Sequence, residues 1–315
     1  MGAEETPLIV ADRDGALPAA ELFVIQNPAA GMRRPERLRR RLEAALDRRG
    51  VRYEHVYTTE PGHAGELARQ ALRDGFTRVL VAGGDGTVLE TVSAVAGEDA
   101  ALAVLPVGTG NQLAANLRIP RSLKRSVDIA LSGRPRVIDV GLIDGRPFSC
   151  IAGAGFDAAV VRPDPDTKRR FGYLAYIHAA LGAVSSPQTA EFRIRIDGEE
   201  LRGRGVGVEI TNMPGLTAPG LPGALPIVPE GGMDDGLLDG CLLAVETTVD
   251  CVKALGAIIT RRFDRDGTLV YFKGREIEVE SDPPLRVQAD GDRLGLTPFV
   301  VRVWPGALTV LVPDI

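Results

Sequence analysis

The chain has few residues of the kinds that build disulfide frameworks and histidine metal sites. Among 315 residues there are three cysteines and three histidines, namely Cys150, Cys241, Cys251, His55, His63 and His178. The cysteines are too few and too widely spaced for a disulfide framework or a zinc site. The scattered histidines give little material for a histidine metal site or a Ser-His-Asp triad. We therefore expect a protein of a reducing, cytoplasmic setting.

Long apolar segments and a surplus of positive charge are also lacking. No continuous apolar stretch reaches the ~20 residues of a membrane-spanning helix. The acidic segment 1–15 has neither the basic start nor the apolar core of a secretory signal. With 42 acidic and 37 basic residues the net charge is −5, which argues against general attraction to nucleic acid. We expect any anion site to be local and no nucleic-acid partner.

The first half of the chain alternates strand and helix patterns. The whole chain has 37 glycines and 22 prolines, which indicates many turns. The spacing of apolar residues predicts strands at 21–26, 51–58, 78–82 and 101–106, with helices at 35–50, 64–72 and 87–96. Such alternation is typical of a parallel sheet with right-handed crossovers.

The second half has β-type runs separated by turn signals, which predict a mostly antiparallel sheet domain. Two helical segments, 171–184 and 249–263, interrupt it, and we expect the Gly/Pro-dense stretch 213–229 to be a long loop without regular structure. The predicted fold class is therefore α/β plus all-β in two domains. The expected boundaries are a tail at 1–20, a first domain at 21–136 that 304–315 could complete, and a second domain at 137–303.

The segment Val81–Glu90 carries the clearest chemical signal. A buried strand leads into two glycines, Asp85, a third glycine and the start of a helix. Glycines allow backbone N–H groups to approach an anion, and a helix N-terminus adds a favourable dipole, so this is a phosphate cradle. A carboxylate within an anion site indicates magnesium–nucleotide chemistry. The alternative interpretation is a tight turn in which Asp85 caps a helix.

Two further turns follow the first and fourth strands. They are Asn27–Gly31 and Pro106–Asn111. Each alone is ordinary connector chemistry, but in a parallel sheet all three turns lie at the carboxyl ends of their strands, where ligands bind. Thr59 follows the second strand and lies at the same edge.

The motifs NPAAG, GGDGT and PVGTGN, in this order and spacing, resemble the diacylglycerol kinase catalytic family, especially its bacterial soluble lipid kinases that act on diacylglycerol or phosphatidylglycerol. The segments 168–177, 228–240 and 289–292 lie where the family has its second-domain motifs. NAD kinases and phosphofructokinases share a GGDGT-like turn, whereas NPAAG and PVGTGN favour the lipid kinases. The resemblance implies an N-terminal nucleotide-binding domain, a C-terminal β-sandwich lipid-substrate domain and an active site between them.

The resemblance also assigns residues to ligands. It places ATP against Asn27, Pro28, Ala29, Ala30, Gly31, Thr59, Gly84, Asp85, Gly86, Thr87, Val88, Leu89, Glu90 and Thr109. It places a structural Mg²⁺ at Asp235 with the backbone carbonyls of Gly232 and Leu237, an oxygen-only site that suits a hard cation. The alternative for Asp234–Gly236 is a β-turn.

Two positions depart from the family pattern. The general base is a glutamate in the family and would be Asp292 here, which shortens its reach by roughly 1.5 Å. Gln112 stands where the bacterial members commonly have an aspartate. Activity is still expected, because phosphoryl transfer depends more on positioning and charge neutralisation than on base strength. We expect Asp85 to act through magnesium on the terminal phosphates, so that Asp85→Asn abolishes transfer and leaves the fold intact.

The sequence thus predicts an ATP-dependent kinase that phosphorylates a hydroxyl of a membrane lipid such as diacylglycerol. The alternatives are a non-catalytic lipid- or nucleotide-binding regulator and a soluble-substrate kinase such as an NAD kinase. The first helix is rich in arginine at positions 33, 34, 37, 39, 40, 41, 48 and 49. This indicates either a solvated helix face or peripheral attraction to anionic lipid at the inner membrane surface. The acceptor lipid and a homo-oligomeric state are left open.

Overall fold

The fold is described from a computed structural model that covers residues 22–31, 34–155, 188–217, 224–226, 228–247, 249–250, 253–254 and 267–314. Its first half alternates strands and helices in the order β1 (Leu22–Gln26), α1 (Pro35–Asp47), β2 (Tyr53–Tyr57), α2 (His63–Arg73), β3 (Arg78–Gly83), α3 (Asp85–Val95), β4 (Ala101–Pro106), α4 (Gln112–Asn116) and α5 (Leu123–Ser132). The alternation that the apolar spacing predicts is confirmed, with boundaries shifted by a few residues.

Helix α1 shows why the pattern could be read locally. Pro35 is its first residue, where the missing N–H costs nothing. Leu42, Ala45 and Leu46 face the core at helical spacing and are buried. The helix ends at Asp47, three residues before the expected end, because residues 48–50 form a turn that closes at Gly50 in a left-handed conformation, φ 64°.

Strands β1 to β4 form a parallel sheet in the order β2-β1-β3-β4. Ile25 lies opposite Val56 and Val81, and Val81 in turn lies opposite Val104. Strands β1 and β4 are buried along their whole length, as expected for a sheet covered on both faces. Helix α1 packs against α5, and α2 packs against α3. The turns after β1, β2, β3 and β4 therefore lie at one edge.

The second half is mostly antiparallel. Its strands are β5 (Arg134–Ile143), β6 (Arg146–Phe148), β7 (Ile151–Gly155), β8 (Ala190–Ile196), β9 (Glu199–Gly205), β10 (Gly207–Thr211), β11 (Gly215–Thr217), β12 (Ala224–Pro226), β13 (Leu238–Leu243), β14 (Leu269–Gly274), β15 (Glu276–Asp282), β16 (Arg286–Ala289), β17 (Asp292–Leu296) and β18 (Phe299–Val312). These strands, with β1 to β4, form a ten-stranded sheet, a six-stranded sheet in the order β14-β13-β10-β7-β16-β17, and the pair β11-β12.

The last strand, β18, runs through both halves of the protein. Thr309 and Val310 pair in parallel with Ala101 and Leu102 of β4, whereas residues 299–302 pair with β15. The ten-stranded sheet therefore runs β2-β1-β3-β4-β18-β15-β8-β9, with β5 also paired to β18. Val301, Ile277 and Ile194 of this sheet pack against Ile210 and Leu242 of the six-stranded sheet in a shared core. The predicted class, an α/β part with a parallel sheet and an antiparallel β-sandwich, is confirmed.

The expectation that 213–229 has no regular structure is wrong at two places. Gly215–Thr217 and Ala224–Pro226 pair as the short antiparallel strands β11 and β12. This short pair of strands accommodates Pro226 because Pro226 lies at its end, opposite Gly215. The missing N–H of proline therefore breaks no central hydrogen bond of the ladder.

Some sequence predictions fall on residues outside the described part. These are the tail at 1–20, the segments 168–177 and 171–184, and most of the helix predicted at 249–263. Within the described residues, no helix is long and apolar enough to cross a membrane. The exact domain boundaries stay a prediction.

Candidate active site

A cavity of about 420 Å³ lies at the carboxyl edge of the parallel sheet. Three turns line it, one after each of β1, β2 and β3. The predicted nucleotide residues among its lining are Asn27, Pro28, Ala29, Ala30, Thr59, Gly84, Gly86, Thr87 and Glu90. Glu60 and Pro61 also line it, although the sequence analysis did not single them out. Residues more than fifty positions apart in the chain thus meet around one space.

Asn27 ties the first turn to the third. Its side-chain amide donates to Thr87 Oγ1 at 2.8 Å, and its Oδ1 accepts from Ala29 N at 2.8 Å. The second of these contacts is an Asx turn, in which a short polar side chain bonds the backbone two residues on. Asn27 therefore shapes its own turn and also places it against the first turn of α3.

The turns approach each other more closely than side chains would permit. Gly31 has φ 59°, and a Cβ there would lie 2.3 Å from the Val107 carbonyl oxygen. A Cβ on Gly108 would lie 2.5 Å from Gly84 Cα. Glycine is required at Gly31 for both its left-handed backbone and this contact. The first, third and fourth turns are therefore packed backbone against backbone.

Asp85 points toward the fourth turn. Its Oδ2 accepts from Asn111 N at 2.8 Å and its Oδ1 accepts from Gln112 N at 2.6 Å. Asn111 immediately precedes α4, so the carboxylate caps α4 from the first turn of α3. Asp85 is therefore a helix cap, as the alternative interpretation predicts. The helix that it caps is not its own α3 but α4, whose N-cap residue Asn111 lies 26 residues further along the chain. Asp85 does not line the cavity, and neither do Gly31, Val88, Leu89 and Thr109.

Gln112 connects the fourth turn to the second half of the protein. Its Nε2 donates to the Thr217 carbonyl at 2.8 Å, and its Oε1 accepts from Thr217 N at 2.6 Å. An aspartate has no N–H and could accept only the second bond. Asn116 Nδ2 adds a bond to the Gly215 carbonyl at 2.8 Å. Gln112, which stands where the bacterial members commonly have an aspartate, therefore joins α4 to β11 by two hydrogen bonds of opposite direction.

Asp292 is the first residue of β17 and lies exposed at the β16–β17 hairpin. The hairpin is held by Asp290, a half-buried residue whose carboxylate is enclosed by the protein. Its carboxylate accepts from the backbone N–H groups of Ser149, Cys150 and Ile151 at 2.5–3.0 Å, and also from the Ser149 hydroxyl. Burial raises the pKa of Asp290, and these hydrogen bonds oppose that rise. The hydrogen bonds of Asp290 thus determine the position of the hairpin that carries Asp292.

The residues predicted to hold magnesium lie together in the loop before β13. Asp235 Oδ1 accepts from Leu237 N at 3.1 Å, and a Cβ on Gly232 would lie 2.5 Å from Asp235 Oδ2. The loop is fixed to the sheet by Asp139, whose two oxygens accept from Gly236 N and Gly306 N at 2.7 and 2.8 Å.

A lysine of β14 and a second carboxylate, from β13, lie beside this loop. Lys273 Nζ lies 3.1 Å from Asp239 Oδ1 and 3.6 Å from Asp235 Oδ2, and it donates to the Glu230 carbonyl. Asp239 is buried, and its Oδ2 has no hydrogen-bond partner. Burial raises the pKa of Asp239, and Lys273 opposes the rise.

The donor set of the loop fits a hard cation, because it offers two carboxylates and backbone carbonyls. One oxygen of these two carboxylates, Asp239 Oδ2, has no hydrogen-bond partner. Among the described residues, no group of three or more His, Cys, Asp or Glu side chains could hold a metal ion. A cation here would therefore depend on backbone oxygens for part of its coordination.

Comparison with known proteins identifies the family. The family model of the diacylglycerol kinase catalytic domain matches residues 21–143, and that of the YegS C-terminal NAD kinase beta sandwich-like domain matches residues 150–312. The chain belongs to the diacylglycerol kinase family. With its kinase catalytic domain it is an enzyme of the lipid kinase class.

Individual relatives agree with this assignment. The chain is 33% identical over 261 residues to a probable lipid kinase YegS-like of Pseudomonas aeruginosa strain UCBPP-PA14, covering 81% of this chain and 83% of the relative. It is 27% identical over 281 residues to a diacylglycerol kinase of Bacillus subtilis strain 168, covering 87% and 90%. A diacylglycerol kinase structure from Bacillus anthracis str. Sterne has the same fold, with a TM-score of 0.77, 21% identity and coverage of 95% and 99%.

Proposed function

We propose that the protein transfers the γ-phosphoryl group of ATP to a hydroxyl group of a membrane lipid such as diacylglycerol. The observation that carries this proposal is the convergence of the turns after β1, β2 and β3 on one cavity, with the fourth turn packed against them. Family membership implies ATP as the donor and a lipid as the acceptor.

In the proposed complex the phosphates of magnesium ATP lie against the turns at Asn27–Gly31 and Gly84–Thr87. Backbone N–H groups at the start of α3 point toward such an anion, and the helix dipole favours its charge. Thr59 and Glu90 line the same cavity and would contact the nucleotide. Asp85 acts here as a positioning residue, because it holds the loop 109–112 against the first turn of α3.

Transfer then requires an acceptor oxygen in line with the leaving oxygen. The lipid hydroxyl oxygen forms a bond to the γ-phosphorus, and the bond to the β,γ-bridging oxygen breaks to release ADP. Asp292 accepts the hydroxyl proton and later returns it to water. Asp290 holds the Asp292 hairpin on β7 during this step.

A magnesium ion in the loop before β13 would be held by Asp235 and the carbonyl oxygens of Gly232 and Leu237, with Asp239 beside it. When bound, it supplies positive charge that fixes the loop and offsets its carboxylates. Lys273 already supplies one positive charge to the same carboxylates.

The test is phosphorylation of extracted lipid. Purified protein is incubated with γ-labelled ATP, Mg²⁺ and detergent-dispersed diacylglycerol, and label is counted in the organic phase. We expect Asp292→Asn to lose roughly 10²-fold or more of the rate and Asp292→Glu to retain it. The matched control is Asp99→Asn, an exposed carboxylate before β4 at the opposite edge of the sheet.

Two outcomes would contradict the proposed reaction, and a third would contradict only the role of Asp292. Label that stays in the aqueous phase as a phosphorylated product would indicate a soluble acceptor. ATP binding without any labelled product would indicate a regulator that has lost the chemistry. Full activity of Asp292→Asn would remove Asp292 from the reaction and leave the lipid kinase assignment standing.

A further inference from the structure

A basic groove lies between α1 and α5, away from the nucleotide cavity. Its volume is about 600 Å³, and the basic residues that line it are Arg37, Arg40, Arg41, Arg48, Arg49 and Lys124. The other three lining residues are Ala44, Ala45 and Leu123, so none of the described residues that line the groove carries a carboxylate. We call this feature the α1–α5 groove.

The arginines of α1 divide into two groups in the structure. Arg39 lies on the side of β2, where it pairs with Glu43 and stacks over the Tyr57 ring at 4.9 Å. In the groove, Arg49 pairs with Asp128. Within the described part of the chain, Arg40 and Arg41 have no ion-pair partner, and the same is true of Arg37, Arg48 and Lys124. The groove therefore holds five basic side chains that the described chain does not neutralise.

Such an arrangement is unfavourable for a helix face that only contacts water. Arg37 and Arg41 are four residues apart on one face, and like charges at this spacing repel. A solvated helix usually interleaves acidic and basic residues. Concentrated positive charge in a chain of net charge −5 instead favours an anionic partner.

The extent of the charge indicates the kind of partner. From Arg37 to the end of α1 at Asp47 the groove follows the helix for about 15 Å, which exceeds the reach of a single phosphate group. Guanidinium groups bind phosphate oxygens in pairs and stay charged at all working pH values. The groove residues on α1 are exposed on long side chains, apart from its alanine floor. An array of phosphates spread over a surface matches this pattern.

We propose that the α1–α5 groove binds the phosphate head groups of anionic phospholipids and so holds the protein on a membrane surface. The groove and the nucleotide cavity share no lining residue, but α1 starts four residues after the Asn27–Gly31 turn, so its first turn lies at the same edge of the sheet as that cavity. A protein bound through it would keep that cavity near the lipid that contains its proposed acceptor. Binding itself rests on the charge of the groove and does not depend on the proposed reaction.

The test is sedimentation with vesicles, which requires no ATP. The full-length protein is mixed with vesicles of phosphatidylcholine alone or with about one third phosphatidylglycerol. The variant Arg40→Gln/Arg41→Gln/Arg48→Gln is compared with Arg69→Gln/Arg73→Gln/Arg286→Gln, which removes three exposed positive charges elsewhere. We expect a roughly 100-fold lower partition coefficient for the groove variant, equivalent to about 3 kcal/mol. The control should bind like the unchanged protein.

Several results would overturn the proposal. Equal losses in both variants would show that net charge alone drives binding. Unchanged binding of the groove variant would place the contact elsewhere. Release of the protein by inorganic phosphate at low salt, when chloride at equal ionic strength leaves it bound, would identify the groove as a soluble-anion site.

Two further measurements keep the result separate from folding and catalysis. Circular dichroism establishes that the groove variant is folded, and Arg37→Gln/Lys124→Gln replaces it if it is not. Kinase activity on detergent-dispersed lipid should be unchanged in the groove variant. Loss of vesicle binding with full activity supports membrane docking even if the proposed acceptor is wrong.

Discussion

Replacing Asp85 by asparagine should destabilise the fold as well as affect catalysis. The carboxylate of Asp85 accepts two backbone hydrogen bonds, one from Asn111 N at 2.8 Å and one from Gln112 N at 2.6 Å. Asparagine has one side-chain oxygen, so it can accept only one of them, and its amide N–H would face the other donor. From the sequence alone we expect an intact fold in this variant, whereas the two hydrogen bonds in the structure lead to the opposite expectation.

The magnitude follows from the two bonds. A hydrogen bond to a charged group contributes about 1.5–3 kcal/mol, and an unsatisfied buried donor costs a similar amount. One bond is lost and the other becomes neutral, while Asp85 is only half-buried. We therefore expect Asp85→Asn to lower the free energy of unfolding by about 2–3 kcal/mol.

Urea denaturation measures this difference. With m of about 2–3 kcal/mol/M, the midpoint should fall by about 1 M with unchanged m. Asp99→Asn, which removes an exposed carboxylate, should stay within about 0.5 kcal/mol of the original protein. An Asp85→Asn variant as stable as that control would refute the assignment of Asp85 to the capping of α4. If Asp85→Asn loses both stability and activity, the loss of activity has a structural cause. If it loses activity at unchanged stability, Asp85 acts in the reaction itself.

Three further changes test other parts of the structure. Gly31→Ala should lower the free energy of unfolding by about 3 kcal/mol and weaken ATP binding in calorimetry, because the new Cβ would meet the Val107 carbonyl. The control is Gly50→Ala, which has a similar φ but open space around the new Cβ. This control should lower the free energy of unfolding by only about 1–2 kcal/mol. His55 is buried, which lowers its pKa from 6.5 to about 4. As pH falls, His55 is protonated near pH 6.5 in the unfolded chain and only near pH 4 in the folded protein. The free energy of unfolding is therefore highest above pH 6.5 and decreases between pH 6.5 and pH 4. Urea titrations should show a loss of about 2.5 kcal/mol between pH 7 and pH 4.5 that is absent in His55→Gln. Lys273→Met should lower the unfolding free energy by about 2 kcal/mol, because Asp239 then lacks its ammonium partner; an additional Asp239→Asn change should restore part of it, and no recovery would contradict this pairing.

The parallel sheet and its ligand edge could be predicted because their signals are local. Buried apolar runs such as Leu22–Gln26 are read directly, and strand direction then places every following turn at one edge. Strand direction alone predicts that Asn27, Thr59 and Gly84 lie at the same edge of the sheet. The ATP contacts predicted for these residues stay predictions, and so do the magnesium site at Asp235 and the catalytic role of Asp292.

The partners of the polar side chains could not be predicted in this way. Asp290 contacts residues about 140 positions earlier, and Gln112 contacts Thr217 across 105 positions. Such pairings depend on how two sheets pack, which no local pattern records. From the sequence we predict a role for Asp292 in the segment Asp290–Asp292, but the residue that holds the hairpin in the structure is Asp290. Lys273 lies in an ordinary strand pattern, and only its register opposite Asp239 reveals its partner.

The path of β18 has a consequence for attempts to divide the protein. Residues 299–302 complete the sandwich beside β15, and residues 309–310 complete the parallel sheet beside β4. A fragment that ends before residue 299 would expose both of these strand edges, and exposed edges pair with other chains and aggregate. Neither half should therefore yield a stable fragment when expressed alone, and the whole chain should unfold in one cooperative transition.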